Sequence, residues 1–284
     1  MQLALGLPAY LIGVDEFAEQ DDPSDFVTLI PLIPLLPLSP EVISLNTVDS
    51  TNSELIRRCH VGAVAPWTVV VASEQSAGRG RLDRNWQSEP GSGLWCSVLV
   101  DLSGCEAPTW LPLVAGLAVF DACTRLGASV ELKWPNDVTA NGAKLGGILI
   151  ESAGAPSQWV VGIGINVTRA HFPNSVALAD VCGEAFEITS VLAEVVNSLH
   201  DHIESWREAN WDTANPSARY HSVCSSIGAN VQITRPNEEP FEAQGLGLDE
   251  YGHLIIARSG DRREIVIAAD VVHATIKPCT PKNS

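Results

Sequence analysis

Hydrophobic residues in the middle of the chain occur in short runs that end at turn residues. Most runs are rich in β-branched residues or alternate with polar ones, which is typical of strands. The predicted strands cover residues 41–48, 68–72, 94–100, 129–134, 136–140, 144–151 and 159–167. Asn141-Gly142 is a hairpin turn signal between two of them. Glycines within 159–167 mark a close backbone approach at that strand.

Three segments have the pattern of helices. Residues 109–126 are apolar on nearly every side and end at Gly127, which predicts a buried helix. Residues 188–210 carry one apolar stripe at helical spacing, which predicts an amphipathic helix packed on the core. A short helix is predicted at 53–59, after the potential N-capping residues 49–52. The helices are expected to cover the predicted sheet.

The two ends of the chain differ from the middle. Residues 1–40 are acidic, apolar and interrupted by prolines, and we interpret them as an N-terminal extension. After Cys224, short alternating runs separated by turn residues predict a small all-β barrel. These runs lie at 229–235, 241–248, 253–258 and 263–268. The predicted divisions are therefore an extension at 1–40, a main domain at 41–224 and a barrel domain at 225–284.

Composition limits the classes of partner. The 17 basic and 34 acidic residues give a net charge of −17, which argues against a general nucleic-acid or membrane binder. The seven cysteines are scattered and form no Cys-x-x-Cys pair, so reduced thiols in the cytoplasm are expected. The first basic residue is Arg57, so no secretion signal is recognised. No metal-binding cluster is predicted from the spacing of histidines and cysteines.

A glycine- and arginine-rich stretch at 74–86 stands out in this acidic chain. Gly78 and Gly80 flank Arg79, and Arg81 and Arg84 follow. Glycines permit close approach of the backbone to a ligand, and guanidinium groups suit carboxylates and phosphates. The stretch alone is equally compatible with a solvated basic loop.

Two further segments carry polar residues beside the predicted hairpin. The first is Lys133-Trp-Pro-Asn-Asp137, and the second begins at Lys144 and contains Gly146-Gly147. The hairpin is expected to bring Lys133, Asn136, Asp137 and Lys144 to one end of a sheet. Clustered cations beside an aspartate suit chemistry on a carboxylate and a triphosphate.

Taken together, these segments resemble the biotin protein ligase family. The matching motifs are 78–86, 133–137, 144–151 and Gly162-Ile-Gly-Ile-Asn166, with Asp49-Ser-Thr-Asn52 as an early biotin-site motif. They occur in family order across residues 41–224. The resemblance implies an α+β fold, with a mixed sheet flanked by helices as in class II aminoacyl-tRNA synthetases and biotin–lipoate ligases. It also implies a small C-terminal SH3-like β-barrel.

The resemblance implies a two-step reaction. Biotin and ATP, the latter with Mg²⁺, give biotinyl-5′-AMP, and a lysine of a biotin carboxyl carrier protein domain then accepts the biotinyl group. The carrier belongs to a biotin-dependent carboxylase such as acetyl-CoA carboxylase. No nucleic-acid or membrane partner is expected, because residues 1–40 lack Lys and Arg and are too rich in proline for a DNA-binding helix-turn-helix. The protein is expected to be a monomer or a homodimer.

The resemblance also assigns site residues. Those expected to contact biotin are Ser50, Thr51, Asn52, Gln75, Gly78, Arg79, Gly80, Arg81, Lys144 and Gly147. Those expected on the nucleotide side are Arg84, Trp86, Lys133, Asn136, Asp137, Lys144 and Asn166. Lys144, Arg79, Arg81 and Asp137 are the expected catalytic residues, and the Gly/Arg loop is expected to fold over the ligand.

Several alternatives stay open at this point. Ser50 and Thr51 are also ordinary helix caps. Asp137 is either the base for the acceptor lysine or a residue that caps its own turn or helps to hold ATP with its magnesium. A lipoate or octanoate ligase of the same fold and a non-catalytic biotin sensor are the competing functions. A dinucleotide-binding dehydrogenase is disfavoured, because Gly78-x-Gly80 lacks the third glycine and the helix that follows it.

Overall fold

The computed structural model describes residues 41–81, 84–234, 239–258 and 262–267. The predicted extension at 1–40 lies outside the described residues, as do residues 235 and 268, at which two predicted strands end.

A seven-stranded mixed sheet forms the centre of the main domain, in the order β1-β2-β3-β7-β6-β5-β4. Its strands are β1 (Val42–Val48), β2 (Val69–Gln75), β3 (Gly93–Asp101), β4 (Glu131–Lys133), β5 (Asp137–Ala140), β6 (Ala143–Ser152) and β7 (Gln158–Asn166). Strands β1 and β2 are parallel, whereas every other neighbouring pair is antiparallel. All seven predicted strands of this domain are confirmed, with bounds that shift by a few residues.

Helices cover both faces of this sheet. They are α1 (Thr51–Val61), α2 (Leu111–Arg125, after a 3₁₀ turn at Pro108–Trp110), α3 (Leu178–Cys182), α4 (Ile188–Glu208) and α5 (Ala214–Val223). Helix α1 packs Leu55 against Val70, Leu99 and Val160 on one face. Helices α2 and α4 pack on the larger core of the other face. None of the helices in the described part of the chain is both long enough and apolar enough to cross a membrane.

Two details of the helices differ from the sequence-based expectation. Helix α1 begins at Thr51 instead of residue 53, and Ser50 occupies its N-cap position without a side-chain capping hydrogen bond. The short helices α3 and α5 were not predicted. A five-residue helix such as α3 shows too little periodicity to be recognised.

A separate four-stranded antiparallel sheet follows α5. It contains β8 (Asn230–Ile233), β9 (Phe241–Leu248), β10 (Leu254–Arg258) and β11 (Arg262–Val266), in the order β11-β10-β9-β8. This matches the predicted small C-terminal β-domain. Among the described residues no closed barrel is seen, because β8 and β11 do not pair with each other.

Two buried tryptophans connect this second sheet to the main domain. Trp110 Nε1 donates to the carbonyl of Glu250 at 2.8 Å, and Trp134 Nε1 donates to the carbonyl of Gly252 at 3.0 Å. Both carbonyls belong to the turn between β9 and β10. Gly252 has φ +79°, and a Cβ there would lie 2.8 Å from Leu113 Cδ1. The turn therefore packs directly on the core of the main domain.

We predict that Gly252→Ala destabilises the protein more than Gly127→Ala does. Both glycines have positive φ, at +79° and +89°, but a Cβ at Gly127 would meet nothing within 4 Å. Gly127→Ala is expected to lower the free energy of unfolding by about 1 kcal/mol through backbone strain. Gly252→Ala should lower it by roughly a further 1–3 kcal/mol through overpacking. Urea unfolding measures both, and equal losses would contradict the packing described here.

Candidate active site

A strip of glycines leaves one face of the central sheet bare beside the start of α1. Gly162 pairs with Ser97 and Leu149, and Gly164 pairs with Trp95 and Gly147. Directly paired residues point to the same face of a sheet. A Cβ at Gly162 would lie 2.3 Å from Asn52 Oδ1, and a Cβ at Gly164 would lie 2.8 Å from the Trp86 ring. The groups that approach β7 closely at these two glycines are side chains, whereas the sequence suggested a close approach of backbone.

The same register brings charged residues to the end of this strip. Gly147 on β6 pairs with Asp137 on β5, and Asp137 in turn pairs with Lys133 on β4. The row of paired residues therefore runs from Trp95 through two glycines to Asp137 and Lys133. The β5–β6 hairpin adds Lys144 beside this row, as the sequence predicts.

A cavity of about 770 Å³ lies over the strip. Every candidate site residue lines it except Gly78: Ser50, Thr51, Asn52, Gln75, Arg79, Gly80, Arg81, Arg84, Trp86, Lys133, Asn136, Asp137, Lys144, Gly147 and Asn166. Gly78 is buried behind the loop, where a Cβ would lie 2.4 Å from the carbonyl oxygen of Trp86. Gly78 therefore permits tight packing of the loop instead of facing the cavity.

One end of the cavity is a buried hydrogen-bond network. The backbone N–H and the hydroxyl of Thr51 both donate to Gln75 Oε1, at 2.9 and 3.2 Å. Gln75 Nε2 donates to Ser88 Oγ at 2.9 Å, and Ser97 Oγ lies 2.8 Å from Thr51 Oγ1. These bonds leave one amide hydrogen of Gln75 as a donor and the hydroxyl oxygen of Thr51 as an acceptor for a ligand. This end is suited to a ligand that carries both N–H and C=O groups.

The other end is cationic. Lys144 Nζ lies 2.6 Å from Asp137 Oδ1 and 5.1 Å from the centroid of the Trp86 ring. Arg81 donates to Asn136 Oδ1 at 3.2 Å, and Asn136 Nδ2 donates to the carbonyl of Ile148 at 2.8 Å. The guanidinium and ammonium groups are thus fixed by contacts before any ligand arrives.

Burial disfavours the charged form of two of these side chains when no anion is bound. It lowers the pKa of Arg81, an effect that the charge of Asp137 partly opposes. It also lowers the pKa of Lys133; Asp137 opposes that shift, and the charges of Lys144 and Arg84 add to it. An anionic ligand relieves this electrostatic penalty.

The Gly/Arg loop folds back on itself at its base. Gly80 N–H donates to the carbonyl of Arg84 at 2.7 Å, and Trp86 N–H donates to the carbonyl of Gly78 at 2.8 Å. These bonds place the Trp86 ring over Gly147 and Gly164. The ring also contacts Trp95 edge to face, with centroids 6.0 Å apart.

Asn166 lies at the far edge of the cavity. Its side-chain amide donates to the carbonyls of Lys144 and Val176, at 3.4 and 3.3 Å. It therefore fixes the backbone beside Lys144 as well as lining the cavity.

Some residues of the site were not assigned from the sequence. Ser88, Ser97 and Glu151 complete the polar contacts, and residues 171–175 form part of the wall. Only Glu151 lay inside a recognised motif, where no role was given to it. Cys96 also lines the cavity, but burial raises the pKa of its thiol to about 12, so it is a poor nucleophile at neutral pH.

Comparison with known proteins gives consistent matches. Residues 45–166 match the Biotin/lipoate A/B protein ligase family. The chain is 36% identical over 234 residues to the biotin–[acetyl-CoA-carboxylase] ligase of Mycobacterium tuberculosis, covering 79% of this chain and 85% of that protein. It is 39% identical over 247 residues to the ligase of the same name from Paracoccus denitrificans, covering 80% and 98%.

A solved structure matches as well. The biotin protein ligase from Aquifex aeolicus in complex with biotin and ATP is 28% identical to this chain, with a TM-score of 0.71. The match covers 84% of this chain and 99% of that one.

The lowered pKa of Lys133 predicts that binding of a polyphosphate anion at this end of the cavity depends on pH. A bound polyphosphate favours the protonated amine and raises its pKa, so binding takes up a proton above the pKa of the free protein. Affinity should therefore fall as the pH rises through that pKa. Lys133→Arg keeps its charge in this range and should remove that part of the fall. Calorimetry of inorganic triphosphate binding at a series of pH values up to the ordinary lysine pKa of about 10.4 tests this, and an unchanged slope in Lys133→Arg contradicts it.

Proposed function

The chain belongs to the biotin/lipoate A/B protein ligase family, and we propose that it attaches biotin to a biotin carboxyl carrier protein domain. It is a biotin–[acetyl-CoA-carboxylase] ligase that activates biotin with ATP and transfers it to the carboxylase. The acceptor within the carboxylase and the role of each residue are proposals.

This proposal rests on one observation: a single cavity combines a polar, hydrogen-bonding end with a cationic end. The buried network around Thr51 and Gln75 lies at one end, and the cations around Lys144 lie at the other. Biotin has a ureido ring with N–H and C=O groups at one end and a carboxylate at the other. Bound along the glycine strip, it would place its ring on the network and its carboxylate among the cations.

The cations have a definite task in the first step. The biotin carboxylate attacks the α-phosphorus of ATP, which forms the acyl-adenylate and releases pyrophosphate. Both reacting groups are anionic, so preorganised cations must offset their repulsion and the charge that develops at phosphorus. We assign Lys144 to the carboxylate and the α-phosphate, with Arg79 and Arg81 of the loop closing over them. Arg84, Lys133 and Asn136 are assigned to the nucleotide.

The polar end supports biotin over lipoate or octanoate. Neither of those acids has an N–H group at its far end, so neither can donate to the Thr51 hydroxyl oxygen. A buried site built for hydrogen bonds rejects analogues that lack them, because its own polar groups stay unpaired. The inert thiol of Cys96 also argues against acyl transfer through a cysteine.

In the second step, the acceptor lysine amine attacks the acyl carbon and releases AMP. That amine has an ordinary pKa of about 10.4, so it must lose a proton first. Among the described residues that line the cavity, Asp137 is the one with a carboxylate side chain. We therefore propose that Asp137 accepts the proton from the acceptor lysine. Its Oδ1 atom is held by Lys144 at 2.6 Å, so the opposite oxygen is the natural acceptor.

Magnesium enters with ATP. Among the described residues no cluster of three His, Cys, Asp or Glu side chains is suited to hold a metal ion by itself. Mg²⁺ commonly binds through substrate phosphates, waters and one or two carboxylates. Asp137 can supply the carboxylate. When bound with ATP, the ion would neutralise phosphate charge.

Several wider assignments are also proposals. We propose a cytoplasmic protein without a DNA-binding role, either a monomer or a homodimer, with domain divisions at 41–224 and 225–284. The six cysteines in the described part of the chain are free thiols, which supports a reducing compartment.

Biotin-dependent exchange of pyrophosphate into ATP tests the function, and Lys144→Ala tests the assignment of its central cation. The wild type should support exchange with biotin and at least 1,000-fold less with lipoate or octanoate. Lys144→Ala should lower the exchange rate by about 100- to 1,000-fold, as loss of one preorganised donor typically does. Arg125→Ala, which removes an ion pair on the surface, is the matched control. Exchange with lipoate alone, or no exchange, would overturn the proposed function.

Asp137→Asn should separate the two half-reactions. Biotin is already ionised, so adenylate formation needs no base, whereas transfer needs a neutral amine. Transfer should therefore slow more than adenylation, and raising the pH should restore it by supplying neutral amine. Single-turnover assays of each step across pH measure this difference. Equal losses without rescue at high pH would assign Asp137 to the support of Lys144 or to its own turn.

A further inference from the structure

We propose that Glu151 is a positioning residue that anchors the Gly/Arg loop to the sheet and thereby retains the acyl-adenylate in the cavity. The proposal rests on the proposed function and deepens it. Arg79 donates to Glu151 Oε2 at 2.6 Å, and Asn52 Nδ2 donates to the same oxygen at 2.8 Å. One carboxylate oxygen therefore joins the loop to the first turn of α1.

Asn52 is itself held rigidly, so it fixes the direction of the Glu151 side chain. Ser97 Oγ donates to Asn52 Oδ1 at 2.5 Å, and Asn52 Nδ2 also contacts the carbonyl of Leu149 at 3.3 Å. The bare face at Gly162 leaves just enough room for this amide. The acceptor end of Glu151 is thus directed from the sheet toward the loop.

The position of Glu151 separates it from the catalytic residues. It lies on β6 and pairs with Val160, one row beyond the row that contains Gly162. It is not among the residues that line the cavity, and a quarter of its side chain is exposed. It therefore contacts the loop from outside the ligand space, and it reaches the ligand only through Arg79 and Asn52, of which Arg79 belongs to the loop.

Two contacts of different character are described for the arginines of the loop. Arg81 donates to the uncharged side chain of Asn136 at 3.2 Å, and Arg79 makes an ion pair with Glu151. Removal of the ion pair should release the loop at Arg79 while the contact of Arg81 stays. An ion pair with exposed partners is worth little on its own, so an effect of about five-fold is expected.

Glu151→Gln is the direct test, since it removes the charge and keeps an amide oxygen for Asn52. Trypsin cleavage after Arg79 and Arg81 in the free protein should quicken by about five-fold. The release of preformed biotinyl-adenylate should quicken by a similar factor. Glu194→Gln breaks the ion pair with Arg125 at the surface and is the matched control, with neither rate changed.

A double-mutant cycle shows whether the effect passes through Arg79. In an Arg79→Gln background, Glu151→Gln should change adenylate release no further, and the cleavage after Arg81 should stay at the rate of the single variant. An unchanged release rate in Glu151→Gln, or a full effect in the Arg79→Gln background, would overturn the proposal. If Glu151→Gln fails to fold, Glu151→Asp, whose shorter side chain draws the carboxylate away from Arg79, is examined by the same two measurements.

The experiments distinguish failure of the proposed function from failure of the anchor. If the wild type forms no adenylate from biotin and ATP, the proposed function is wrong, and the trypsin measurement still tests the anchor. Cleavage that is equal in wild type and Glu151→Gln overturns the anchor even where adenylate forms normally.

Discussion

The site depends on three positions of the central sheet that carry no side chain. Gly147, Gly162 and Gly164 lie on the face beside the start of α1, where the neighbouring strands would otherwise fill the space. A single methyl group at Gly162 would collide with Asn52, and one at Gly164 would collide with Trp86. The bare strip therefore does two things at once. It leaves a long, narrow floor for a ligand, and it lets the polar first turn of α1 and the Gly/Arg loop pack directly on the sheet.

The charge of the site is a consequence of the same packing. The whole chain has a net charge of −17, yet five cationic side chains line one cavity. Their mutual repulsion is limited by two carboxylates: Asp137 pairs with Lys144 inside the cavity, and Glu151 pairs with Arg79 outside it. The arrangement keeps a positive field at the carboxylate end, and contacts fix the directions of Arg79, Arg81 and Lys144. Preorganised charge of this kind loses little free energy to rearrangement when the reaction begins.

The sequence predicted the parts that depend on neighbouring residues. The Asn141-Gly142 turn determines the β5–β6 hairpin, so the contact between Asp137 and Lys144 followed from a short stretch of chain. Contacts between distant strands could not be derived in this way. Ser97 reaches Asn52 across 45 residues, and Glu151 reaches Asn52 across 99, through a register of β3, β7 and β6 that no local pattern specifies. Family resemblance identified most of the cavity, but these supporting residues required the sheet order.

The second sheet also takes part in shaping the cavity, through Trp134. This residue lies between Lys133 and Asp137 and lines the cavity, and its indole N–H donates to the carbonyl of Gly252. Its backbone N–H donates to Ser226 Oγ at 3.1 Å. Because both contacts come from residues after α5, the turn that presents Lys133 and Asp137 is supported from behind by the C-terminal part of the chain. A change at that interface is therefore expected to alter the direction of the cationic end without replacing any of its charged residues.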